Sequence, residues 1–440
     1  MFDLQSLGIE YGSFLMLGML IALLITGMPL AFVTGLVALF FTVGWFGPSA
    51  VPLITSRIYS FTTSYVFIAV PMFVLMAAIL DQSGIARDLF NAMRIVAGRL
   101  RGGVAIQTLV VALFLAAMSG IIGGETVLLG MLALPQMLRL GYDRSLAIGT
   151  VCGGGALGTM MPPSIVLIIY GLMANVSISD LFTSAFVPAF ILCSFYIIYV
   201  LARCYMNHDL APITAEQTEV LSWGEKFASM KSVILPVLVA FSVLGSIYLG
   251  VASVTEASGI GVVGIVISTW IRGELTIELM KKSAWRTMET CGMIIWIGIG
   301  ASVLVGVYNL MGGNQFVENA IISWGGGSPL AVLLIMMGIL LMLGMFLDWV
   351  GIAMLTMPIF VPIIIKMGYD PVWFGVVFCM NMQVSFLSPP FGPSAFYLKS
   401  VAPPEITLNM IFRALLPFIG MQVIALGLLV AFPNLALWWQ

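Results

Sequence analysis

Charged side chains are scarce in this sequence, and their scarcity excludes most classes of protein. Of the 440 residues, 17 are Lys or Arg and 19 are Asp or Glu, so only 8% are charged. Soluble domains carry roughly 25%. Hydrophobic residues make up 61% of the chain and the mean hydropathy is +1.12. A soluble enzyme, a nucleic-acid binder and a disordered chain are therefore excluded. The apolar runs are continuous rather than alternating, which predicts an all-α polytopic membrane protein.

Residues that build metal centres or hydrolytic sites are also rare. The only histidine, His208, lies in a polar loop, so a zinc motif of the HExxH type cannot form. The five cysteines form no CxxC pair and are interpreted as small core residues. No P-loop motif occurs, so ATP does not drive this chain directly. We therefore expect neither catalytic residues nor an organic cofactor.

Two long apolar stretches are interrupted by small and polar residues. The stretch 104–138 is interrupted at 119–126, and the stretch 329–366 is interrupted near 344–351. A bilayer-spanning helix needs about 20 residues, and neither half of the first stretch is that long. Irregular backbone is tolerated at membrane depth only where protein or a water-filled cavity surrounds it. We therefore predict two re-entrant hairpins, each with its tip at the interruption.

Two further apolar stretches contain consecutive prolines. Pro162-Pro163 divides the stretch 145–175, and Pro389-Pro390 divides the stretch 371–398. Two prolines remove two backbone donors and cannot lie inside a regular helix. Both stretches are predicted to be broken helices, and a last span is predicted at 411–432.

The basic residues favour one orientation in the membrane. Four arginines lie among apolar positions in the segment 87–103, which is interpreted as an amphipathic helix at the membrane surface. If the N-terminus lies outside, fifteen of the 17 Lys and Arg residues fall inside, and only Arg57 and Lys366 fall outside. Such an excess is expected on the cytoplasmic side. Fifteen basic residues fall on the cytoplasmic side only if each predicted hairpin enters and leaves the membrane on the same side. The distribution of charge is therefore separate support for the two hairpins.

The two halves of the chain share motifs at a constant offset. One shift of the numbering superimposes Gly141-Tyr142-Asp143 on Gly368-Tyr369-Asp370, and the same shift superimposes Pro162-Pro163 on Pro389-Pro390. In the orientation above, the two copies open to opposite sides, so the repeat is inverted. Inverted repeats with a discontinuous helix in each half indicate a secondary transporter and its binding site. The alternative is a duplication retained only for packing, and the recurrence of the breaks argues against it.

Unwound segments at membrane depth leave carbonyl oxygens that a dehydrated cation can satisfy. Each repeat supplies a hairpin tip and a broken helix, so two cation sites related by pseudosymmetry are predicted. Oxygen ligands without a carboxylate suit Na⁺ better than Ca²⁺. A hydrogen bond to its own helix is the alternative for any single hydroxyl. The predicted Na⁺ ligands are Ser119, Gly158, Met161 and Pro163 at the first site, and Gly344, Ser385, Ser388 and Phe391 at the second.

Neighbouring residues are candidates for the substrate pathway. No Arg or Lys occurs at the predicted mid-membrane site, so anion binding would depend on helix dipoles, backbone N–H groups and bound cations. Asp348 could bind a cation, relay a proton or cap the half-helix that follows it, and an indirect or capping role is favoured. Glu125 is assigned no role. The pathway candidates are Gly120, Gly124, Thr159, Ser164, Asp348, Pro389, Pro390 and Ser394.

These motifs resemble the large membrane subunit of tripartite ATP-independent periplasmic (TRAP) transporters, over about Phe14 to Phe432. Two positions depart from the family pattern: Ile121 follows Ser119-Gly120 where many members have SGS, and Ser388 stands where Thr before the prolines is common. The resemblance is carried by MSGIIGGETVLLGMLALPQML (118–138), GYDRSLAIGTVCGGGALGTMMPPSIVLIIYG (141–171), LGMFLDWVGIAMLTMPIFVPIIIKMGYDPVWFG (343–375) and SPPFGPSAFYL (388–398).

The resemblance implies a fold, a mechanism and partners. It implies an ion-transporter superfamily fold in which the hairpins and broken helices move, like an elevator, against a scaffold. It implies Na⁺-coupled uptake of an organic acid across the bacterial inner membrane. The implied partners are membrane lipid, a separate small four-helix membrane subunit and a soluble periplasmic substrate-binding protein. The divisions of the chain are N-terminal scaffold helices (1–64), a first repeat (65–201), a linker with scaffold helices (202–287) and a second repeat (288–440).

Three other functions stay open at this point. One is a stand-alone Na⁺- or H⁺-coupled carboxylate carrier of similar architecture, which neighbouring genes for the two partner proteins would argue against. Another is an intramembrane enzyme, which is disfavoured because neither a GxGD motif nor a nucleophile–base pair is visible. The third is an assembly subunit that does not transport, and it would be favoured if Ser388→Ala or Pro163→Ala left transport intact.

Overall fold

The structure, a computed structural model, describes residues 4–97, 100–120, 123–212 and 223–440, and its regular elements there are all helices. Their bounds are α1 Gly8–Ile25, α2 Leu30–Phe46, α3 Pro52–Thr62, α4 Ala69–Gln82, α5 Ile85–Ala97, α6 Gly103–Ser119, α7 Gly124–Arg139, α8 Arg144–Ala156, α9 Ile165–Ala174, α10 Ile178–Met206, α11 Trp223–Tyr248, α12 Val254–Ile271, α13 Ile277–Leu310, α14 Gly313–Trp324, α15 Pro329–Gly344, α16 Trp349–Lys366, α17 Pro371–Leu387, α18 Pro393–Val401 and α19 Leu408–Ala431.

Among the described residues, seven helical segments are long and apolar enough to cross a membrane. This confirms the prediction of a multi-pass helical membrane protein. The segments are Gln5–Ile25, Tyr65–Gln82, Ile178–Met206, Val254–Ile271, Ile277–Leu310, Trp349–Lys366 and Leu408–Ala431.

The helix order repeats at the offset that the motifs predicted. Helices α5 to α10 recur as α14 to α19, and α7 ends at Arg139 where α16 ends at Lys366, the equivalent position under the same shift. The shared aspartates explain where the broken helices begin. Asp143 accepts the Leu146 N–H at 2.9 Å, and Asp370 accepts the Trp373 N–H at 3.0 Å, so each carboxylate caps the N-terminus of its helix.

The two helix breaks lie where the proline pairs predicted them. In the first repeat α8 ends at Ala156, a 3₁₀ turn follows at Leu157–Thr159, and α9 begins at Ile165. In the second repeat α17 ends at Leu387 and α18 begins at Pro393. The bonds Pro162-Pro163 and Pro389-Pro390 are both cis.

Several helix bounds differ from the sequence prediction. Helix α13 begins at Ile277, before the predicted start of the second repeat at 288. Its first turns carry Lys281, Lys282 and Arg286, so the sequence there did not indicate an apolar span. The division drawn at 287/288 therefore falls inside α13. The polar stretch before the second hairpin forms α14, whose axis meets that of α15 at 117°. Within the surface segment 87–103, α5 ends at Ala97, and part of the segment lies outside the described residues.

The helices pack into two groups. Helix α13 lies against α2, α3 and α4, and α4 also packs on α12. Helices α6 to α9 pack with α15 to α19, and α16 touches both α9 and α13. Glycines allow close approach: a Cβ added at Gly149 or Gly153 of α8 would overlap the Phe418 ring of α19. The second group therefore contains both hairpin-like helix pairs and both breaks.

Candidate functional site

The first tip, defined by Ser119, Gly120 and Gly123–Glu125, joins α6 to α7. Gly120 has φ +57° and Gly123 has φ +91°. Residues other than glycine rarely adopt these backbone conformations, so glycine allows the chain to turn sharply here. The Ser119 hydroxyl donates a hydrogen bond to Oε1 of Glu125. Both side chains are buried, at 3% and 2% exposed. A serine and a carboxylate are thus held together at the end of two apolar helices.

The unwound segment after α8 lies directly against this tip. A Cβ added at Gly158 would lie 2.6 Å from both carboxylate oxygens of Glu125, so a larger residue there would displace the carboxylate. A Cβ at Gly120 would overlap the carbonyl oxygen of Pro163. The structure therefore brings Ser119, Gly158 and Pro163 to one place. Met161, the fourth predicted ligand, is buried in the same segment.

Two predicted pathway residues of this segment have hydrogen bonds that hold the break in shape. Thr159 Oγ1 donates to the Ala156 carbonyl at 3.0 Å, and Ser164 Oγ donates to the Thr159 carbonyl at 2.6 Å. Both side chains are buried. Their hydroxyls close the unwound turn, which is the local alternative foreseen for single hydroxyl groups.

Glu125, which was assigned no role from the sequence, is buried at the first tip. The first site was expected to hold oxygen ligands without a carboxylate, but a buried carboxylate lies at its centre. Glu125 Oε2 has no hydrogen-bond partner among the described residues. A buried carboxylate oxygen without a donor is costly, and a bound cation would satisfy it. The sequence showed an acidic residue within an apolar hairpin, which was an indication of its role. It did not show which residues contact Glu125, because Ser119 and Gly158 belong to other segments of the chain.

The second tip, defined by Gly344–Asp348, joins α15 to α16 and faces the end of α17. A Cβ at Gly344 would lie 2.5 Å from Ser385 Oγ, so the tip glycine packs on the serine. Ser385 Oγ donates weakly to the carbonyls of Asn381 and Leu341, at 3.3 and 3.4 Å. Ser388 Oγ donates to the Val384 carbonyl at 2.6 Å. Both hydroxyl oxygens keep acceptor capacity, because each uses only its proton.

Phe391 lies farther out than the other predicted ligands of the second site. Its ring is 53% exposed and packs at 5.7 Å against Phe346 of the second tip. Pro389 and Pro390 are also exposed, whereas Ser394 is buried and its hydroxyl has no partner among the described residues. The break in the second repeat is therefore more open than the break in the first.

Asp348 caps the helix that follows the second tip, as favoured from the sequence. Its Oδ2 accepts the Val350 N–H at 3.1 Å at the N-terminus of α16. The residue is exposed and lines a cavity of about 600 Å³. The Asp348 carboxylate thus caps α16, and Asp348 also lines the cavity beside the second tip.

The cavity lies between the second tip, the breaks and α13. Its polar wall includes Asp348, Ser385, Tyr397 and Thr290, and Ile165 of the first repeat also lines it. A Cβ at Gly123 would overlap the ring of Tyr397, so this tyrosine contacts the first tip while lining the cavity. Both repeats therefore contribute to one space of the size that holds small molecules.

A basic residue lies closer to the site than the sequence indicated. Arg286 Nη2 of α13 lies 3.5 Å from Asp81 Oδ2 of α4. A Cβ at Gly124 would lie 3.3 Å from Asp81 Oδ2 and 3.4 Å from Arg286 Nη2. The expectation that the site lacks Arg and Lys is therefore wrong for the first tip. From the sequence, Arg286 was counted with the basic residues on the cytoplasmic side, in the division 202–287, whereas its helix begins at Ile277 and brings it to the tip.

Comparison with known proteins gives the family. The model of the DctM component of tripartite ATP-independent periplasmic transporters matches residues 17–435. The chain belongs to this family. It is a transporter permease subunit rather than an enzyme, and the family resemblance drawn from the sequence is confirmed.

Relatives of this TRAP subunit align over almost its whole length. It is 26% identical to the C4-dicarboxylate TRAP transporter large permease protein DctM of Vibrio cholerae, over 96% of this chain and 95% of that protein. It is also 26% identical to the sialic acid TRAP transporter large permease protein SiaM of Vibrio cholerae, over 95% and 96% of the two chains.

A solved structure has a similar fold. The YdaH transporter of Alcanivorax borkumensis superimposes with a TM-score of 0.61 and 13% sequence identity, over 87% of this chain and 88% of that one. At this identity the likeness concerns the fold alone. The TRAP subunit therefore shares a helical transporter architecture with a protein whose sequence has diverged widely.

Proposed function

We propose that this TRAP subunit imports an organic acid by Na⁺ symport. The observation that carries the proposal is the recurrence, in both repeats, of a tip packed against an unwound helix beside a shared cavity. Oxygen atoms converge at both places, and a dehydrated cation is the ligand that such groups suit. The two relatives described above are named for a C4-dicarboxylate and for sialic acid, and both compounds are carboxylates.

The first Na⁺ site is proposed at the first tip. Its ligands are the Ser119 hydroxyl, the Glu125 carboxylate and carbonyl oxygens of Gly158, Met161 and Pro163. The unpartnered Oε2 of Glu125 supports a cation there, because it is an oxygen donor without a hydrogen-bond partner among the described residues. A cation would also compensate the negative charge inside an apolar bundle.

The second Na⁺ site is proposed at the second tip. Its ligands are oxygens of Gly344, Ser385, Ser388 and Phe391, supported by the contact between Gly344 and Ser385. The cavity beside this tip would hold the organic acid, close enough for a bound cation to favour its negative charge. The proposed substrate pathway includes Gly120, Gly124, Thr159, Ser164, Asp348, Pro389, Pro390 and Ser394.

The proposed mechanism is an elevator. The group formed by α6 to α9 and α15 to α18 would move across the membrane against the group around α2, α4, α12 and α13. The packing supports the proposal, because the broken helices α8 and α17 pack against α7, α15 and α19, whereas α16 is a member of this group that also packs on α13. The basic residues support an N-terminus on the periplasmic side of a bacterial inner membrane. The proposed partners are a separate small membrane subunit and a soluble periplasmic substrate-binding protein.

The test is uptake into proteoliposomes that contain both membrane subunits, with the binding protein supplied outside. The substrate is first identified by thermal-shift screening of the binding protein with carboxylates. An inward Na⁺ gradient should drive accumulation, and equimolar K⁺ or choline should abolish it. Uptake that is unaffected by replacing Na⁺ would overturn the proposal.

Proton coupling is the second candidate, and Glu125 is the observation that favours it. A buried carboxylate can carry a proton instead of contacting a cation. An inward proton gradient without Na⁺ would then drive uptake, and Glu125→Gln would abolish that proton-driven component. Absence of uptake under a proton gradient alone would exclude this candidate and leave Na⁺ as the coupling ion.

A further inference from the structure

Arg286 is a basic side chain close to the first tip that neither proposed cation site uses. Its side chain is 42% exposed, and its ion pair with Asp81 involves a single nitrogen at 3.5 Å. A guanidinium has five N–H donors, so most of its donor capacity remains for another partner. The Arg286 guanidinium is therefore available to bind an anionic group in addition to Asp81.

Two independent observations place Arg286 beside the cavity. Thr290 lies four residues later on α13 and lines the cavity, and residues four apart share one face of a helix. At the first tip, Gly124 contacts Arg286 while its neighbour Gly123 contacts Tyr397, which also lines the cavity. Arg286 therefore lies next to the cavity wall by way of its own helix and by way of the tip.

Charged groups on α4, α7 and α13 lie around Arg286. Asp81 approaches it from α4, and Glu125 lies behind Gly124 on α7. On α13 itself, Lys282 is engaged by Glu278 at 2.7 Å, and Glu289 accepts the Trp285 indole N–H at 2.6 Å. The residues that line the cavity include Asp348 but no Lys or Arg within the described part of the chain.

We propose that Arg286 supplies the positive charge that draws an organic anion to the mouth of the cavity, on the side of α13. The proposal rests on the proposed function in one respect, namely that the cavity carries an organic acid. Asp81 holds the guanidinium near the tip and partly neutralises it, so an arriving carboxylate competes with Asp81 for the same group. A carboxylate or sulfonate fits this role, because its oxygens accept the paired N–H donors of arginine.

The experiment measures the electrostatic potential at the mouth and requires neither a known substrate nor Na⁺. Thr290→Cys places a thiol on the cavity wall, and all five native cysteines are buried. The purified protein is reacted with an anionic sulfonatoethyl methanethiosulfonate and, separately, with its cationic trimethylammonium analogue. The protein without Thr290→Cys gives the background, and the ratio of the anionic to the cationic labelling rate is the readout.

Arg286→Gln in this background should lower the ratio by about fivefold or more, since a fixed charge raises the local concentration of an oppositely charged reagent. Arg286→Lys should retain most of the ratio, and Asp81→Asn should raise it because the guanidinium is then unopposed. Lys282→Gln is the matched control: it removes the same charge one helical turn farther from Thr290 and should change the ratio less.

Three results would overturn the proposal. An Arg286→Gln ratio within about twofold of the parent would show that the residue sets no potential at the mouth. Equal reductions by Arg286→Gln and Asp81→Asn would show that the pair has only a structural role. Failure of both reagents to label the introduced thiol would also reject the proposal, because the cavity would then not be open to solvent beside α13. Uptake that proves independent of Na⁺ would reject the proposed coupling without altering any of these rates.

Discussion

The two tips solve the same problem with different residues. Gly158 and Ser385 occupy equivalent positions under the shift that relates the two repeats. In the first repeat the tip carries Glu125 and the broken helix carries glycine, whereas in the second repeat the tip carries Gly344 and the broken helix carries serine. The two contacts come from opposite arms of the hairpins, because Glu125 lies at the start of α7 and Gly344 at the end of α15. The oxygen-bearing side chain therefore lies on the tip in the first repeat and on the broken helix in the second. Duplicated halves can therefore keep a close contact between tip and broken helix while the residues that form it diverge.

The difference in charge separates the expected roles of the two sites. The first site contains a buried carboxylate, whereas the acid of the second tip, Asp348, caps α16 and faces the cavity. A cation at the first site compensates a charge that is buried in the bundle. A cation at the second site adds positive charge next to the cavity, where it can favour an anion. We therefore expect the first site to bind Na⁺ more tightly and the second to couple more directly to the substrate.

The largest expected effect is that of Glu125→Gln. The substitution keeps the size of the side chain and removes the charge, and interactions with a charged group contribute about 1.5–3 kcal/mol. The Na⁺ concentration for half-maximal uptake should rise by roughly 10- to 150-fold. Glu289→Gln, at an exposed position on α13, is the control and should leave it unchanged. A wild-type Na⁺ dependence in Glu125→Gln would remove the carboxylate from the proposed ligand set.

Gly158→Ala should have the next largest effect, because its Cβ would lie 2.6 Å from the Glu125 carboxylate. Overpacking of this kind costs about 1–3 kcal/mol. The expected result is weakened Na⁺ activation with retained assembly, measured by uptake and by size-exclusion chromatography. Gly259→Ala, where a Cβ meets open space, is the matched control. Equal behaviour of the two variants would contradict the close contact.

At the second tip, the glycine at position 344 and the serine at position 385 can be exchanged by mutation. Ser385→Gly removes a hydroxyl, and Gly344→Ser introduces one where Ser385 already fills the space. Each single variant should weaken Na⁺ activation by roughly threefold to tenfold, corresponding to about 0.5–1.5 kcal/mol for a neutral hydrogen-bonding group. The double variant places the hydroxyl on the tip and should recover part of the loss. Strictly additive losses in the double variant would show that the two positions do not share one site.

Asp348 should give the smallest effect and distinguish its two roles. Asn is as good a helix cap as Asp, whereas Ala loses the cap at a cost of about 1 kcal/mol. Asp348→Ala should therefore lower the unfolding temperature, measured by differential scanning fluorimetry, and Asp348→Asn should not. A loss of uptake shared by both variants, with Asn still stable, would show that the charge facing the cavity matters beyond the cap.

Local features were predictable from the sequence, whereas contacts between distant segments were not. The diproline motifs interrupt a helix within their own neighbourhood, so they predicted where each break lies, and the apolar runs predicted the starts of α8 and α17 to within a residue. The GYD motif indicated the repeat, and its capping role is seen only in the structure. Arg286 and Asp81 lie on two helices that are far apart along the chain. Their ion pair depends on the packing of α4 against α13, which the sequence does not show. Hydropathy also concealed the polar start of α13, because amphipathic turns lower the average over the window.

The proposed mechanism requires that two Na⁺ ions bind, one of them with a carboxylate ligand. Equilibrium binding of ²²Na⁺ to the purified membrane subunits tests it without any substrate. Two saturable ions per large subunit are expected in the wild type and one in Glu125→Gln at the same Na⁺ concentration, with Glu289→Gln retaining two. A wild type without saturable Na⁺ binding, or an unchanged stoichiometry in Glu125→Gln, would contradict the account.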